Sequence, residues 1–358
     1  MKAIYFLPVP EKYVSDWEYY QVDLDVLRAL FDEVVVCDSV RAVLRARRGA
    51  DALYCWWWHT SVPVILLGRL LGIKTAVTGA IHMFDLSGAR DFYSGSPLFR
   101  LANRLGLRFA DVNVFISRDQ YRQVTSHARV NNPVVVYSSL GKSHPVDREA
   151  ILKARRALRE GAGGGKASFL SIVWQTKAQF RRKGIWETLD AMALLKAEGG
   201  RPFEWIVAGK EGDGTELLRS KIEELGLSNE VTVLTDVSAA KKSELYLAAD
   251  LYIQTSWCEG FGNAVLEATS HGAPALVSRY TAQPEGVGER GLIAMDISPA
   301  ALAVKLREFL ALDEAGRRRL SEEALSRALT EFSFRKHVVE LARVFADLGV
   351  KTSEPGRA

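Results

Sequence analysis

The sequence has little cysteine: its 358 residues include only Cys37, Cys55 and Cys258. An odd, scattered set argues against a disulfide framework and a zinc site, and it favours a reducing compartment. The sequence also lacks an uninterrupted apolar run of the ~20 residues that a membrane-spanning helix needs. The segment Met1–Leu7 reads directly as a strand, without the plan of a signal peptide. We therefore expect a cytoplasmic protein.

A strong excess of either charge is missing as well. The formal net charge is +4, and no basic stripe with interleaved aromatic residues is present, which argues against a nucleic-acid binder. The mild positive charge is compatible with an anionic substrate, and with peripheral contact at the acidic inner face of a membrane. The composition, 48% hydrophobic and 25% charged, is that of a globular protein, and the length indicates two domains.

Strand-like runs alternate with helical patterns in both halves of the chain. The runs have no polar alternation, which indicates parallel sheets covered on both faces, so we expect an α/β fold with two sheet domains facing across a cleft. Proline and glycine cluster between the halves, at Pro145 and in the run GAGGG. The predicted organisation is an N-terminal domain at 1–147, a linker at 148–166, a C-terminal domain at 167–333, and an amphipathic helix at 334–350 that could pack back on the N-terminal domain.

The stretch Glu259–Gly272 follows a buried strand-like run at Leu251–Thr255, turns on two glycines and continues as a short helix. Unpaired N–H groups and the positive end of the dipole attract anions to such a helix start. Two carboxylates, Glu259 and Glu267, flank it on the order of 10 Å apart, too far for an acid/base pair. That separation suits a ligand that is bound at both ends and has a phosphate in its middle. We interpret the stretch as a nucleotide-sugar site, with the sugar at Glu259, the diphosphate on the helix end and the ribose at Glu267.

A second anion-binding pattern precedes a helix in the run WQTKAQFRRKG, which ends with Arg181, Arg182, Lys183 and a glycine. Cations beside a helix start fit a diphosphate. Three consecutive cations cannot all face the cleft, and we assign Lys183, which precedes the glycine. Gly209, after the next strand, either lets the backbone approach a nucleotide base or belongs to a flexible turn.

Two histidines, His59 and His82, stand at the exits of predicted strands in the first half, where parallel sheets bind ligands. Each could contact ligand or be a structural histidine with its hydrogen bonds satisfied. The loop after His82 is long and contains Arg90 and Tyr93. Because long loops at strand exits often carry specificity, we assign this loop to acceptor contact.

Three consecutive tryptophans, Trp56, Trp57 and Trp58, end the predicted strand at residues 52–58. Strict alternation would place Trp56 and Trp58 on one face of the sheet and Trp57 on the other. We expect these side chains to pack in the core or against a helix.

These residues resemble a known family. The segment EGFGNAVLEA, which begins at Glu259, resembles the E-x7-E signature of retaining nucleotide-sugar glycosyltransferases with the GT-B fold, especially their large fourth sequence family. The resemblance is good over roughly residues 165–295 and thin over 1–150. It also includes Lys183 before a helix and His82 after the fourth strand. It implies two Rossmann-like domains, a hexose-type donor, and a hydroxyl acceptor that is a glycan, a lipid-linked saccharide or a small molecule.

The resemblance also implies roles for single residues. Glu259 would bind hydroxyls of the donor sugar, Glu267 the ribose, and Lys183 would neutralise the departing diphosphate. His82 would contact the transferred sugar. The distal phosphate would be held by the backbone of three successive residues, Phe261, Gly262 and Asn263.

The sequence departs from the family in two places. The glycine pair that is common in the family's first β-to-α turn is absent. The family's usual arginine after the strand that precedes Lys183 is replaced, and Lys177 or Arg181 could substitute for it. Fixed cations and a helix end can stabilise the departing diphosphate, so we expect neither a metal nor a cofactor.

Two other functions fit the same fold. A non-catalytic nucleotide-sugar binder would not need Lys183, Glu259 and Glu267 together, and a sugar-nucleotide epimerase would not need an acceptor loop. A phosphorylase would need a lysine placed for pyridoxal phosphate and usually a much longer chain. The sequence carries no signal for the oligomeric state, the nucleotide base or the identity of the acceptor.

Overall fold

The structure is a computed structural model that describes residues 1–9, 18–83, 92–161, 165–289 and 291–353. The chain divides into two compact units. Unit 1 comprises Met1–His144 and Glu331–Ala358, and unit 2 comprises Pro145–Thr330. Each unit contains a six-stranded parallel sheet with helices between the strands. The predicted α/β class is therefore confirmed for both halves.

Unit 1 has the strand order β2-β1-β3-β4-β5-β6. Its strands are β1 (Lys2–Phe6), β2 (Glu33–Cys37), β3 (Ala52–Trp56), β4 (Lys74–Thr78), β5 (Val112–Phe115) and β6 (Pro133–Val135). Its first helices are α1 (Glu18–Leu30), α2 (Val40–Ala46), α3 (Trp58–Leu71), α4 (Pro97–Phe109) and α5 (Arg118–His127). Serine hydroxyls accept N–H groups at the starts of α2, α4 and α5, which satisfies donors that have no partner within the helix.

Unit 2 has the strand order β12-β11-β10-β7-β8-β9. Its strands are β7 (Ala167–Ile172), β8 (Phe203–Gly209), β9 (Val231–Thr235), β10 (Leu251–Gln254), β11 (Ala275–Ser278) and β12 (Leu292–Ala294). Its helices are α6 (Arg148–Gly161), α7 (Lys177–Arg182), α8 (Ile185–Glu198), α9 (Thr215–Glu224), α10 (Ala239–Ala248), α11 (Asn263–Ser270), α12 (Gln283–Val287), α13 (Pro299–Leu310) and α14 (Glu314–Glu331). The central strand β10 is fully buried and β7 is mostly buried, as their lack of polar alternation predicts.

The last helix, α15 (Phe334–Asp347), belongs to unit 1. Its apolar face is buried, and Phe345 packs edge to face on Phe31 of unit 1 with ring centroids 5.1 Å apart. The amphipathic spacing therefore marks the face by which this helix packs on unit 1. No helix in the described ranges is long and apolar enough to cross a bilayer.

Of the three tryptophans predicted to end β3, only Trp56 belongs to the strand. Trp57 has φ +71°, and Trp58 is the first residue of α3. The indole N–H of Trp56 donates to Asp23 at 2.8 Å, whereas that of Trp58 donates to Asn113 at 2.7 Å, and the two rings belong to different apolar clusters. The prediction that they share a face is wrong, because side chains alternate only while the backbone stays extended.

Candidate functional site

The site in unit 2 is built where β10 ends and α11 begins. Gly262 precedes the helix with φ +98°, a conformation that favours glycine, and no side chain caps the helix start. Phe261 is buried, while Asn263, the first helical residue, is partly exposed. The Val265 N–H donates to the carbonyl oxygen of Gly262 at 2.8 Å, which leaves the N–H groups of Asn263 and Ala264 and the positive end of the helix dipole to attract an anion. Anion binding at this helix start stays a prediction.

Glu259 lies buried in the turn before that helix, with its carboxylate between two cations. The Nζ of Lys183 is 2.8 Å from Oε1, and the Nη1 of Arg182 is 3.4 Å from Oε2. The Ser256 hydroxyl donates to Oε1 at 3.1 Å, and the Thr281 hydroxyl accepts the backbone N–H of Glu259 at 2.9 Å. These contacts from separate segments fix both the backbone and the carboxylate of Glu259.

The charges of this cluster follow from its surroundings. Burial raises the pKa of Glu259, but Arg182 and Lys183 outweigh burial and lower that pKa from 4.5 to about 2. Burial lowers the pKa of Lys183, and the Glu259 carboxylate opposes that shift. The side chains of Lys183 and Glu259 are only 14% and 9% exposed, so solvent screens their attraction little. With two cations and one carboxylate, the cluster has one positive charge in excess.

Close backbone packing holds the two cations beside β10. Thr176 caps the start of the short helix α7, Lys183 follows its last residue, and Gly184, with φ +66°, immediately precedes α8. A Cβ at Gly184 would lie 2.4 Å from the carbonyl oxygen of Thr255, the residue after β10. Only glycine tolerates both this conformation and this contact, so the sequence RRKG sets the position of Arg182 and Lys183.

The phase of α7 decides which cation reaches the cluster. Lys177 and Arg181, the predicted substitutes for the family arginine, are exposed, and the Lys177 backbone N–H donates to Asp213 at 3.0 Å. Their roles in donor binding stay predictions. Arg182, which sequence reasoning did not select, contacts Glu259. Successive helical residues point ~100° apart, so Arg181 and Arg182 cannot face the same side.

Glu267, one turn inside α11, is held by two side chains of α10. The Nζ of Lys242 is 2.7 Å from its Oε2, and the Tyr246 hydroxyl donates to the same oxygen at 3.1 Å. The His271 ring lies 5.3 Å from the Tyr246 ring, and its Nδ1 is 2.7 Å from the carbonyl oxygen of Glu267. Sequence reasoning missed Lys242 and Tyr246 because α10 gave no signal beyond an ordinary helical pattern.

Gly209 ends β8 with φ +153°, and a Cβ there would lie 1.9 Å from the carbonyl oxygen of Val173. Gly212 is similarly close to the backbone of Gln175, at 2.7 Å. The glycines therefore let this segment pack tightly on the segment after β7, which argues against a merely flexible turn. Contact between Gly209 and a nucleotide base stays a prediction.

The predicted residues of the first half lie in unit 1. His59 is in the first turn of α3, where burial lowers its pKa and its ring packs 4.8 Å from the Phe99 ring. His82 follows β4 and is partly exposed, and the Tyr93 side chain is 40% exposed. Arg90 lies outside the described residues. Acceptor contact by His59, Tyr93 and Arg90, and sugar contact by His82, stay predictions.

No group of three or more His, Cys, Asp or Glu side chains in the described ranges is placed to hold a metal ion. Metal independence itself stays a prediction.

A family model matches the part of the chain that contains this site. Residues 171–327 match the sequence model of the family described as Glycosyl transferases group 1. O-antigen chain mannosyltransferase B of Escherichia coli is 33% identical over 128 residues, which is 34% of this chain and 34% of that protein. D-inositol 3-phosphate glycosyltransferase of Corynebacterium glutamicum is 33% identical over 160 residues, 43% of this chain and 38% of that protein. The chain thus spans less than half the length of these relatives.

Solved structures resemble the whole chain. HepE from Anabaena in complex with UDP has a TM-score of 0.76 at 15% identity, with 97% of this chain and 100% of that chain covered. Sucrose-phosphate synthase from Thermosynechococcus elongatus has a TM-score of 0.69 at 16% identity, with 95% and 80% covered. At these identities the likeness shows the fold alone.

Proposed function

Because residues 171–327 belong to the group 1 glycosyl transferases and the chain has the GT-B fold, we propose that the protein is a retaining glycosyltransferase. It would transfer a hexose-type sugar from a nucleotide-diphosphate sugar to a hydroxyl group of a glycan, a lipid-linked saccharide or a small molecule. The observation that carries the proposal is the buried Glu259 carboxylate, held between Arg182 and Lys183 where α11 begins.

The cluster has the charges that such a donor requires. Arg182 and Lys183 would neutralise the diphosphate as the bond to the sugar breaks, and the N–H groups at the start of α11 would hold the distal phosphate. The two cations and the backbone N–H groups are held in place before the nucleotide sugar binds, so they stabilise the developing charge without reorganisation. Glu267, anchored by Lys242 and Tyr246, would bind the ribose hydroxyls.

Glu259 is suited to bind sugar hydroxyls rather than to remove a proton. With a pKa of about 2 it is a weak base at neutral pH, and efficient general bases have a pKa near the working pH. We propose a displacement on one face of the sugar, in which the leaving phosphate helps to deprotonate the acceptor hydroxyl. Such a course retains the anomeric configuration and needs no covalent intermediate on the protein.

The donor can be identified before the acceptor is known. Two relatives are named mannosyltransferases, and HepE structures contain UDP or UDP-glucose, so a thermal-shift panel of UDP-, GDP-, ADP- and dTDP-sugars should include glucose and mannose donors. A donor that binds raises the melting temperature by an amount set by its concentration relative to Kd. Release of the nucleoside diphosphate and NMR of the glycoside then test turnover and anomeric configuration.

The variants Glu259→Ala and Lys183→Ala should abolish transfer while the protein stays folded. Turnover at the wild-type rate in both variants would contradict the proposal. A protein that binds the donor without releasing diphosphate would be a binder, and one that returns an isomeric sugar nucleotide would be an epimerase.

A further inference from the structure

Gln254, the last residue of β10, places a buried amide beside the charged cluster of unit 2. Its Oε1 accepts a hydrogen bond from the Lys183 Nζ at 3.2 Å and another from the Tyr252 hydroxyl at 3.1 Å. Its Nε2 donates to the Glu259 Oε1 at 3.4 Å. Because two donors contact the amide oxygen and a carboxylate contacts the amide nitrogen, these partners fix the orientation of the amide.

Tyr252 holds this amide from the same strand. It precedes Gln254 by two residues, so both side chains lie on one face of the sheet. Its hydroxyl accepts the backbone N–H of Ile172, the last residue of β7, at 3.4 Å. Burial raises the pKa of Tyr252, so the hydroxyl keeps its proton, and the Gln254 oxygen is a closer acceptor than the Ile172 carbonyl oxygen at 3.5 Å. The amide is thereby anchored to the two central strands of unit 2.

The Lys183 ammonium has three N–H groups. One is directed at Glu259, whose Oε1 is 2.8 Å from the Nζ, and another is donated to Gln254. No third acceptor contacts this ammonium within the described ranges. Because the three bonds are arranged tetrahedrally, fixing two of them also fixes the direction of the third. The third N–H is therefore left to a ligand.

We infer that Gln254 is a positioning residue of the donor site, whose amide orients the Lys183 ammonium so that its third N–H meets the diphosphate of the donor. This inference rests on the proposed function of Lys183. A methionine would fill the same buried space without the cost of burying an amide. The amide also lies beside the start of α11, since a Cβ at Gly262 would be 3.4 Å from its Nε2. Gln254 thus borders both of the groups proposed to hold phosphate.

A double-mutant cycle tests this role. Isothermal titration calorimetry at low salt, with inorganic pyrophosphate as the ligand, measures Kd for the wild type, Gln254→Met, Lys183→Met and the double variant. Pyrophosphate is the moiety that all candidate donors share. Gln254→Met should weaken binding about fivefold in the wild-type background and less than about twofold in the Lys183→Met background, because no ammonium is left there to orient. Tyr252→Phe should weaken binding about twofold, because Gln254 loses its anchor but keeps Lys183.

The number of sites per molecule separates positioning from misfolding. A variant that only misfolds lowers this number, whereas the Kd of its folded molecules stays that of the wild type. The matched control is Ser171→Ala, which removes a buried hydroxyl of β7 that donates to the Ile253 carbonyl oxygen at 2.7 Å. This control should lower the melting temperature and leave the Kd for pyrophosphate unchanged.

Three results would overturn the inference: equal Kd for the wild type and Gln254→Met, equal fold losses in the two backgrounds, or a wild type that does not bind pyrophosphate. The transferase assignment fails separately. A protein that shows the predicted cycle but transfers no sugar keeps the positioning role of Gln254 and loses the assignment. An active transferase with equal losses in both backgrounds loses only the positioning role.

Discussion

Replacing Glu259 by glutamine removes the charge of the buried carboxylate while keeping its shape. The amide can still accept a hydrogen bond from Ser256, but Arg182 and Lys183 lose their counter-charge. The two cations remain in a pocket where the Lys183 side chain is only 14% exposed. We expect the variant to be less stable at neutral pH, because removing one partner of a buried ion pair leaves an uncompensated charge.

The pKa shift of Glu259 sets the size and the pH dependence of this loss. Its pKa falls from 4.5 to about 2 on folding, so the folded state favours the charged carboxylate. The resulting stability is present above pH 4.5 and is lost as the pH falls through 2. At 1.36 kcal/mol per pKa unit it amounts to about 3 kcal/mol at pH 7 and about half of that near pH 3.

Urea unfolding, with amide protection of β7 and β10 as the probe of unit 2, measures the loss. The free-energy difference between wild type and Glu259→Gln should shrink as the pH is lowered from 7 to 3. The control is Glu216→Gln in α9, because Glu216 is 78% exposed and pairs with Arg219 on the surface. This control should change stability by less than about 1 kcal/mol at either pH. A pH-independent difference for Glu259→Gln would refute the electrostatic account of the cluster.

Three further predictions concern the framework of unit 2. Gly209→Ala should prevent folding of unit 2 or lower its melting temperature strongly, because the new Cβ would lie 1.9 Å from the Val173 carbonyl oxygen. Thermal unfolding followed by circular dichroism measures this effect. The control is Gly226→Ala, which also has a positive φ but has no atom near the new Cβ, so it should lower the melting temperature less. Arg155→Met should lower the free energy of unfolding in urea by about 3 kcal/mol, because the buried guanidinium donates to four carbonyl oxygens at 2.8–3.3 Å. Arg155→Lys should lower it less, because an ammonium group can keep some of these hydrogen bonds. Tyr246→Phe should raise the donor KM several-fold with little change in kcat, because Glu267 loses one of its two anchors from α10; an unchanged KM would count against ribose binding by Glu267.

The strand–turn–helix that ends in α11 could be predicted because its signals are local. A buried apolar run, a glycine before the helix and a regular apolar period specify each part, and the short helix predicted there is observed as α11, Asn263–Ser270. Which of the three cations before Gly184 contact Glu259 could not be predicted from local signals. It depends on the phase of a six-residue helix, α7, which the sequence pattern did not reveal, and Arg182 was missed for that reason.

Other features depend on contacts between distant segments. Lys242 and Tyr246 hold Glu267 from α10, which only the packing of α10 on α11 brings close. The end of β3 was misjudged because positive φ at Trp57 is rare for a residue with a side chain, and tryptophan itself favours strands. The local amino-acid composition does not predict such a turn.

The most direct test of the donor site is the affinity of the nucleotide-diphosphate sugar for two lysine variants, measured by isothermal titration calorimetry. Lys183→Met removes the buried ammonium beside Glu259, whereas Lys241→Met removes an exposed one on α10 that pairs with Glu244 at the surface. The account predicts at least a tenfold loss of affinity for Lys183→Met, as expected for a charge-assisted hydrogen bond worth about 1.5–3 kcal/mol, and less than about twofold for Lys241→Met. Equal affinities for wild type and Lys183→Met, or a wild type that binds none of the four nucleotide classes, would contradict it.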